Sequence, residues 1–303
     1  MLLRNSHFGS VVRSDALEFR DARHRSLGYD RGPGRDVDAS RKRGKMSEPA
    51  EIGSTAPHPV LGAFYPGRYE RKGFVRRLFD ETAPYYDRIN WLFSLGTGAS
   101  DRRRCLLRAG LRPGLRLIDV ATGTGLLAQE AVAVTGSRHD VIGVDLSNGM
   151  LAVARAKLGI PLVQASAEQL PVADASADFV TMGYALRHVA DLVVAFREYY
   201  RVLRANGTVM LLEIAKPTQT PSRLFAGFYL GHVVPVLSRW MTGEKRVGDL
   251  TRYYWATIEH CVAPEIILQA LRDSGFVELS CTVEVDMLRC YVGRKRNAAG
   301  GMP

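Results

Sequence analysis

The sequence is poor in the residues that build disulfide scaffolds and metal centres. Its four cysteines, Cys105, Cys261, Cys281 and Cys290, are scattered and form no CxxC pair. That argues against a disulfide framework and a zinc site, and the four read as free or buried thiols. No metal is expected. The first residues also lack the apolar core of a secretory signal. A mitochondrial transit peptide would be poor in acids, yet six occur by residue 45. The most apolar stretch, "SRLFAGFYLGHVVPVLSRWM" (222–241), is interrupted by His232 and Pro235, well short of the roughly twenty apolar residues that a membrane-spanning helix needs. Nor does the net charge of +10 form a dense basic stripe. Residues 1–45 hold 11 Lys and Arg against 6 Asp and Glu, so half of the excess lies in a tail. The remainder is mildly basic, and no nucleic-acid partner is expected.

What is present is ordinary globular material, 46% hydrophobic and 24% charged, enough for one large domain or two small ones. Residues 1–60 carry no sustained apolar period and are rich in Arg, Asp, Ser and Gly. A disordered N-terminal extension is expected there, with Met46 as a candidate true start. Apolar periodicity begins near residue 70. In "RKGFVRRLFDETAPYYDRINWLFS", Phe74, Leu78, Tyr85 and Ile89 fall near helical spacing, and Pro84 divides the stretch into two helices.

From there the pattern alternates. Apolar strands are expected at 115–121, 140–145, 161–166, 177–184 and 207–215. Helices are expected at "LLAQEAVAV", at 148–158 with Ser147 or Asn148 as N-cap, and at 191–204. Such alternation belongs to a doubly wound α/β sheet, mostly parallel, with helices on both faces. "FVELSCTVEV" and "MLRCYVGRK" read as a C-terminal antiparallel pair. Residues 218–262 interrupt the alternation before the last helix, and an insertion there is expected to cover the active site. The expected layout is an extension at 1–60 and a domain at 70–295.

Gly123 and Gly125 follow the first strand and Asp145 closes the second. This is the arrangement that admits a nucleotide at strand ends and offers a carboxylate to ribose hydroxyls. The spacing also satisfies the dinucleotide pattern. Asp119 decides against a dinucleotide: at the pocket rim it would repel a pyrophosphate, whereas S-adenosylmethionine presents an ammonium and a sulfonium.

"LIDVATGTG", "GVDLSNGML", "QASAEQLPVADASADFVTMGYALRHV" and "RVLRANGTVMLLEIAKP" resemble class I S-adenosylmethionine-dependent methyltransferases. They are similar in particular to the quinone-biosynthesis C-methyltransferases, which act on demethylmenaquinol and the ubiquinol precursor. The likeness runs from about residue 70 to about residue 293 and includes "YYDRINWLFSLG". It implies a seven-stranded sheet with an N-terminal helical lid and S-adenosyl-L-methionine as cofactor. The cofactor-binding set is then Asp119, Gly123, Thr124, Gly125, Asp145, Ser166, Ala167 and Gly183, and Tyr86, Asp87 and Asn90 belong to the substrate lid. The sequence departs from the family pattern in three places. Gly98 and Asp101 stand where a His and a Trp are usual, Leu186-Arg187-His188 replaces Leu-Arg-Asn, and Glu213-Ile214-Ala215 replaces Glu-x-Ser.

Carbon methylation of a phenolic ring needs an aligned acceptor and a group that takes or stabilises the hydroxyl proton. Arg187 and His188, following strand four, are the candidate catalytic pair, His188 as base and Arg187 as charge partner of the phenolate. The expected acceptor is a prenylated quinol or phenol. The alternatives are another lipophilic phenol or secondary metabolite, and a non-catalytic scaffold that binds S-adenosylmethionine. A lipid-borne acceptor implies a cytoplasmic protein that contacts the inner membrane face peripherally, through 222–241 with Arg223 and Arg239. Oligomeric state, a homodimer included, is left open.

Overall fold

The structure, a computed structural model, describes residues 55–284 and 286–297. Residues 1–54 of the extension expected at 1–60, Met46 among them, lie outside the described residues. Three helices come first: α1 (Arg68–Thr82), α2 (Tyr86–Ser94) and α3 (Gly98–Arg108). A 3₁₀ turn at Ala83–Tyr85 separates the first two at Pro84, as the ring's missing N–H requires. The alternating part follows as β1 (Leu117–Val120), α4 (Leu126–Thr135), β2 (Val141–Asp145), α5 (Asn148–Leu158), β3 (Leu162–Gln164), β4 (Ala177–Gly183), α6 (Leu192–Val202) and β5 (Leu203–Ile214). The insertion folds as α7 (Thr220–Phe228), a π turn at Tyr229–Val233, α8 (Val234–Thr242) and α9 (Lys245–Glu259). The chain closes with α10 (Pro264–Asp273), β6 (Phe276–Glu284) and β7 (Leu288–Lys295).

The seven strands form one sheet in the order β3-β2-β1-β4-β5-β7-β6. The first five are parallel, and β7 runs antiparallel between β5 and β6. Side chains alternate across it. Ile118, Val120, Val180 and Leu211 pack with α6 and α10 on one face, and Leu117, Phe179 and Met210 pack with α3, α4 and α5 on the other. The winding reverses between β1 and β4, so the carboxyl ends of β1, β2 and β4 meet at one edge.

Element ends follow local chemistry. Ser147 caps α5 by accepting from the Met150 N–H at 3.1 Å, and Asp191 caps α6 through the Val194 N–H at 3.0 Å. Several strands depart from expectation. β1 and β3 are shorter than 115–121 and 161–166, and β1 stops where Ala121 takes a left-handed φ of 53°. β5 begins at Leu203 rather than 207, across a register shift opposite Ala177 and Phe179. Helix α3 was not expected, because its three consecutive arginines mask the buried pair Cys105 and Leu106.

The domain boundary near residue 70 is corrected. Thr55 donates to Asp191 Oδ2 at 2.9 Å and its carbonyl accepts from Leu192 N at 2.9 Å. Pro57 O accepts from Val262 N at 2.9 Å. Leu61 and Tyr65 are buried in a third core with Val75 and Leu78 of α1, Ile89 of α2, and Val247, Leu250 and Tyr253 of α9. Residues 55–60 therefore belong with the domain. This stretch, with Pro57 and Pro59, has no period of its own because its order comes from elements distant in sequence.

Buried Leu61 and Tyr65 each contribute roughly 1.5–3 kcal/mol by apolar burial. A chain beginning at Arg68 should therefore unfold at lower denaturant than one beginning at Met46, with a loss of about 3 kcal/mol or more. Urea titration followed by circular dichroism checks this; coincident midpoints would show that the third core does not depend on 55–67.

Candidate functional site

At the sheet's switch point lies a cleft of about 910 Å³, adjoined by a recess of about 340 Å³. The two share Tyr86, Ala121, Gly123, Gly183 and Tyr184. Strand ends supply the cleft floor, α1 forms its roof, and the turn after β4 forms one end. Gly123 has φ 58°, and a Cβ there would meet nothing within 4 Å, so its backbone faces open space.

Two buried carboxylates lie at the strand ends. Asp145 accepts from Gly123 N at 2.7 Å and Ser147 N at 2.8 Å. Burial raises its carboxyl to about 6, against the lowering effect of those two N–H groups, and Asp80's charge adds to the rise. Asp119 accepts from the hydroxyls of Thr122 and Thr181, both at 2.7 Å. Burial likewise raises it to about 6 while the two hydroxyls pull it down. Asp119 does not sit at an open rim: it is 1% exposed, beneath the recess. In that recess Arg102 donates to Asn90 Oδ1 at 2.7 Å and lies over the Tyr184 ring at 5.4 Å. Gly98 makes this possible, since a Cβ there would come within 2.8 Å of Arg102 Nη1. Asp101, at the other unusual position, accepts from Thr97 Oγ1 and Arg104 at 2.7 Å each.

Helix α1 is held over the cleft at both ends. Asp80 accepts from Ser147 Oγ at 2.6 Å and Gly149 N at 2.9 Å. Gly149 permits this approach, because a Cβ there would lie 2.8 Å from the Asp80 carbonyl. Lys72 bonds Ser166 Oγ at 2.9 Å and pairs with Glu168 at 3.3 Å, across the cleft mouth.

The turn after β4, Leu186–His188, carries the expected catalytic pair. Arg187 is 1% exposed and lines neither cavity. Its guanidinium forms a buried ion pair with Glu213 and bonds Thr257 Oγ1 at 3.2 Å. This corrects its expected part as charge partner of the acceptor, because its charge is already matched within the protein. His188 does line the cleft, against Phe79, Tyr253 and Tyr254. Burial and the charges of Arg187 and Arg71 hold its pKa well below the ordinary range, so it is neutral at neutral pH.

Of the residues singled out from sequence, Gly123, Asp145, Ser166, Ala167, Gly183, Tyr86 and His188 line the cleft. Asp119, Thr124 and Asn90 line the recess. Gly125 and Asp87, like Arg187, line neither. Gly125 has φ 87°, and a Cβ there would lie 2.2 Å from Leu158 Cδ1, so the glycine serves helix packing rather than approach to a ligand. Asp87 ties α2 to Thr124 Oγ1 at 2.6 Å and to Lys157. Arg71, Phe79, Arg102, Tyr184 and Glu168 line the cavities without having been singled out. Arg102 was hidden in an arginine run, and Arg71 in a helix that reads as a solvated basic face.

The sequence model of the ubiE/COQ5 methyltransferase family matches residues 68–284. A demethylmenaquinone methyltransferase of Symbiobacterium thermophilum is 32% identical over 241 residues, covering 76% of this chain and 96% of the relative. A ubiquinone/menaquinone biosynthesis C-methyltransferase of Proteus mirabilis is 30% identical over 220 residues, covering 70% and 86%. The fold is similar to that of phosphoethanolamine N-methyltransferase 2 of Haemonchus contortus, at a TM-score of 0.53 and 18% identity, over 77% of this chain and 62% of that one.

Breaking the Arg187–Glu213 pair leaves a buried charge unmatched, which costs about 3–5 kcal/mol. Arg187→Ala and Glu213→Gln should each lower chemical stability by that amount. Denaturant unfolding checks it. A loss of turnover with full stability would instead return Arg187 to the acceptor side.

Proposed function

We propose an acceptor from one premise: the chain belongs to the ubiE/COQ5 methyltransferase family and is an S-adenosylmethionine-dependent methyltransferase of the class I fold. The proposed acceptor is a prenylated quinol or phenol of menaquinone or ubiquinone biosynthesis, the substrate class in the names of the two relatives. One observation carries the reading. The cleft lining includes Val75, Phe79, Tyr86, His188 and Val189, with the Phe79 ring against both Tyr86 and His188. Apolar and aromatic side chains with a polar imidazole among them suit a hydroxylated ring.

The residues present fit the cofactor. We assign Asp145 to the ribose hydroxyls, Ser166 and Ala167 to the adenine side, and Gly123 to backbone approach, all of which line the cleft. Asp119 and Arg102 supply opposite charges for the ammonium and carboxylate of the methionyl end, with Thr124 and Asn90 beside them and Gly183 at the junction of the two cavities. When bound, S-adenosylmethionine supplies a methyl whose bond to sulfur breaks, the electron pair staying on sulfur, as the ring carbon bonds to it. The chain's own part is to align the ring and hold the hydroxyl oxygen as its proton leaves. Tyr86 and Asn90 of the lid are assigned to positioning, and residues 218–262 to covering the acceptor end, through Tyr253 and Tyr254 against His188.

We assign delivery of the acceptor to contact with an anionic membrane surface. Leu224, Phe225, Phe228, Val236 and Trp240 on α7 and α8 are 62–81% exposed. Lys216, Arg223 and Arg239 flank them, and no carboxylate lies between Glu213 and Glu244. Among the described residues, no helix is long and apolar enough to cross a membrane.

Three outcomes are expected. Calorimetric affinity for S-adenosylmethionine should fall by about 1–3 kcal/mol in Asp145→Ala, the usual cost of losing charge-assisted hydrogen bonds. In the unsubstituted chain it should weaken as pH drops through about 6, because Asp145 and Asp119 protonate there and lose the charge that attracts the donor. Tighter binding of NAD than of S-adenosylmethionine would sink the cofactor assignment. Flotation with phosphatidylglycerol vesicles should show reversible binding, weakened by salt, by Arg239→Glu and by Trp240→Ser. Methylation restricted to short-tailed, water-soluble phenols, with no vesicle binding at low salt, would favour the secondary-metabolite alternative.

A further inference from the structure

Arg71 is a buried cation on the roof of the cleft, 6% exposed and part of its lining. Its hydrogen-bond partners are His58 Nε2 at 2.9 Å and the backbone carbonyl of Arg187, and its charge acts on Tyr253. None of these is an anion, and among the described residues Arg71 has no carboxylate partner. Two neighbouring cations differ: Arg187 is matched by Glu213 and Lys72 by Glu168, while Arg76, also in the lining, is exposed to water. A buried guanidinium without a counter-charge is costly unless something in the cavity supplies one.

The hydrogen-bond directions around it form a consistent chain. His58 Nδ1 lies 2.6 Å from the Pro59 carbonyl and must donate to it, so Nε2 is the lone pair that accepts from Arg71. Burial and the Arg71 charge lower His58 to about 4, which keeps that ring neutral. Burial keeps the Tyr253 hydroxyl protonated, and it donates to His188 Nδ1 at 3.3 Å. His188 then carries its own proton on Nε2, a buried nitrogen that has no partner among the described residues. In this tautomer His188 donates rather than accepts, so it is not the base that the motif suggested. The surrounding Tyr65, Tyr86, Tyr253 and Tyr254 are held un-ionised by burial. Among the described residues Arg71 is thus a buried cation near His188 that no carboxylate offsets.

We propose that Arg71, with the Nε2–H of His188, forms the site that receives the ionised ring hydroxyl of the acceptor, and that Arg71 is a catalytic residue. This rests on the reading of the acceptor as a phenol or quinol. The O–H proton passes to water and the oxyanion is held by the guanidinium and the imidazole N–H. Its electron density reaches the adjacent ring carbon, which bonds the methyl as the methyl–sulfur bond breaks. The ring C–H proton then leaves to water and its bonding pair restores the aromatic ring as the phenolate, which regains one proton from water on release. S-adenosylhomocysteine, the methylated phenol and one net proton are the products. The segment 55–65, through His58, acts as a positioning element for Arg71.

The test titrates a prenylated nitrophenol, whose ionisation is read by absorbance, bound to the full chain with S-adenosylhomocysteine. The unsubstituted protein should bind the phenolate at least about tenfold more tightly than the phenol. Arg71→Gln should abolish that preference and lower kcat by about 10²-fold or more, shifting the kcat profile to higher pH, with S-adenosylmethionine affinity changed less than about threefold. Arg71→Lys should restore part of the preference. Tighter binding of the neutral phenol by the unsubstituted protein overturns the proposal without reference to any variant. An unaltered preference in a folded Arg71→Gln protein overturns it as well. Failure of every phenol to bind the unsubstituted protein would overturn the phenolic reading itself, and this proposal with it.

Discussion

The buried pair between Arg187 and Glu213 is the interaction on which the site's architecture depends. It joins the turn after β4 to the end of β5, and Thr257 of α9 completes it. Low exposure at both partners means that neither charge is solvated, so the turn has little freedom to move without losing its match. The backbone of the same turn presents the Arg187 carbonyl to Arg71 and the His188 ring to the cleft. One ion pair therefore holds strand, insertion and roof helix in register around a single end of the cavity.

Charge is distributed across the cleft in layers. Two carboxylates lie beneath, at the ends of β1 and β2, each raised to about 6 by burial. Cations of α1 and α3 lie above and to the side. A ligand with a cationic centre and a carboxylate finds opposite charges within one recess, and a ring hydroxyl finds a cation and an N–H at the other end. Both imidazoles near Arg71 are neutral because burial and positive neighbours act in the same direction. The departure from the family's Asn at position 188 consequently preserves a hydrogen-bond donor without adding charge.

The departures at 98 and 101 have physical accounts of the same kind. Glycine at 98 leaves room for Arg102, and Asp101 is absorbed into the first turn of α3. The substrate half has thus changed residues while keeping a continuous wall of α1, α2 and α9 side chains. That wall has its own apolar core, Val75 and Leu78 against Val247, Leu250 and Tyr253, closed by Leu61 and Tyr65.

The apolar runs and their spacing were sufficient to determine the alternating strands and helices, the parallel sheet, and the positions of Gly123 and Asp145, because period and strand-end chemistry are local. The Pro84 break and the Ser147 cap were legible for the same reason. Tertiary structure alone decided which polar residues meet. His58, Arg71, Arg187, Glu213 and Tyr253 lie on five separate segments, and no local pattern distinguishes a buried arginine from a solvated one. The sequence placed Arg187 and Asp119 at the open edge, and packing put both beneath it, where a charge is held by its partners rather than by water. It also marked Gly125 for a ligand, whereas the approach of Leu158, 33 positions away, makes it a packing residue. Contacts of that separation are set by how the sheet winds, and for that reason they appear only once the chain is folded.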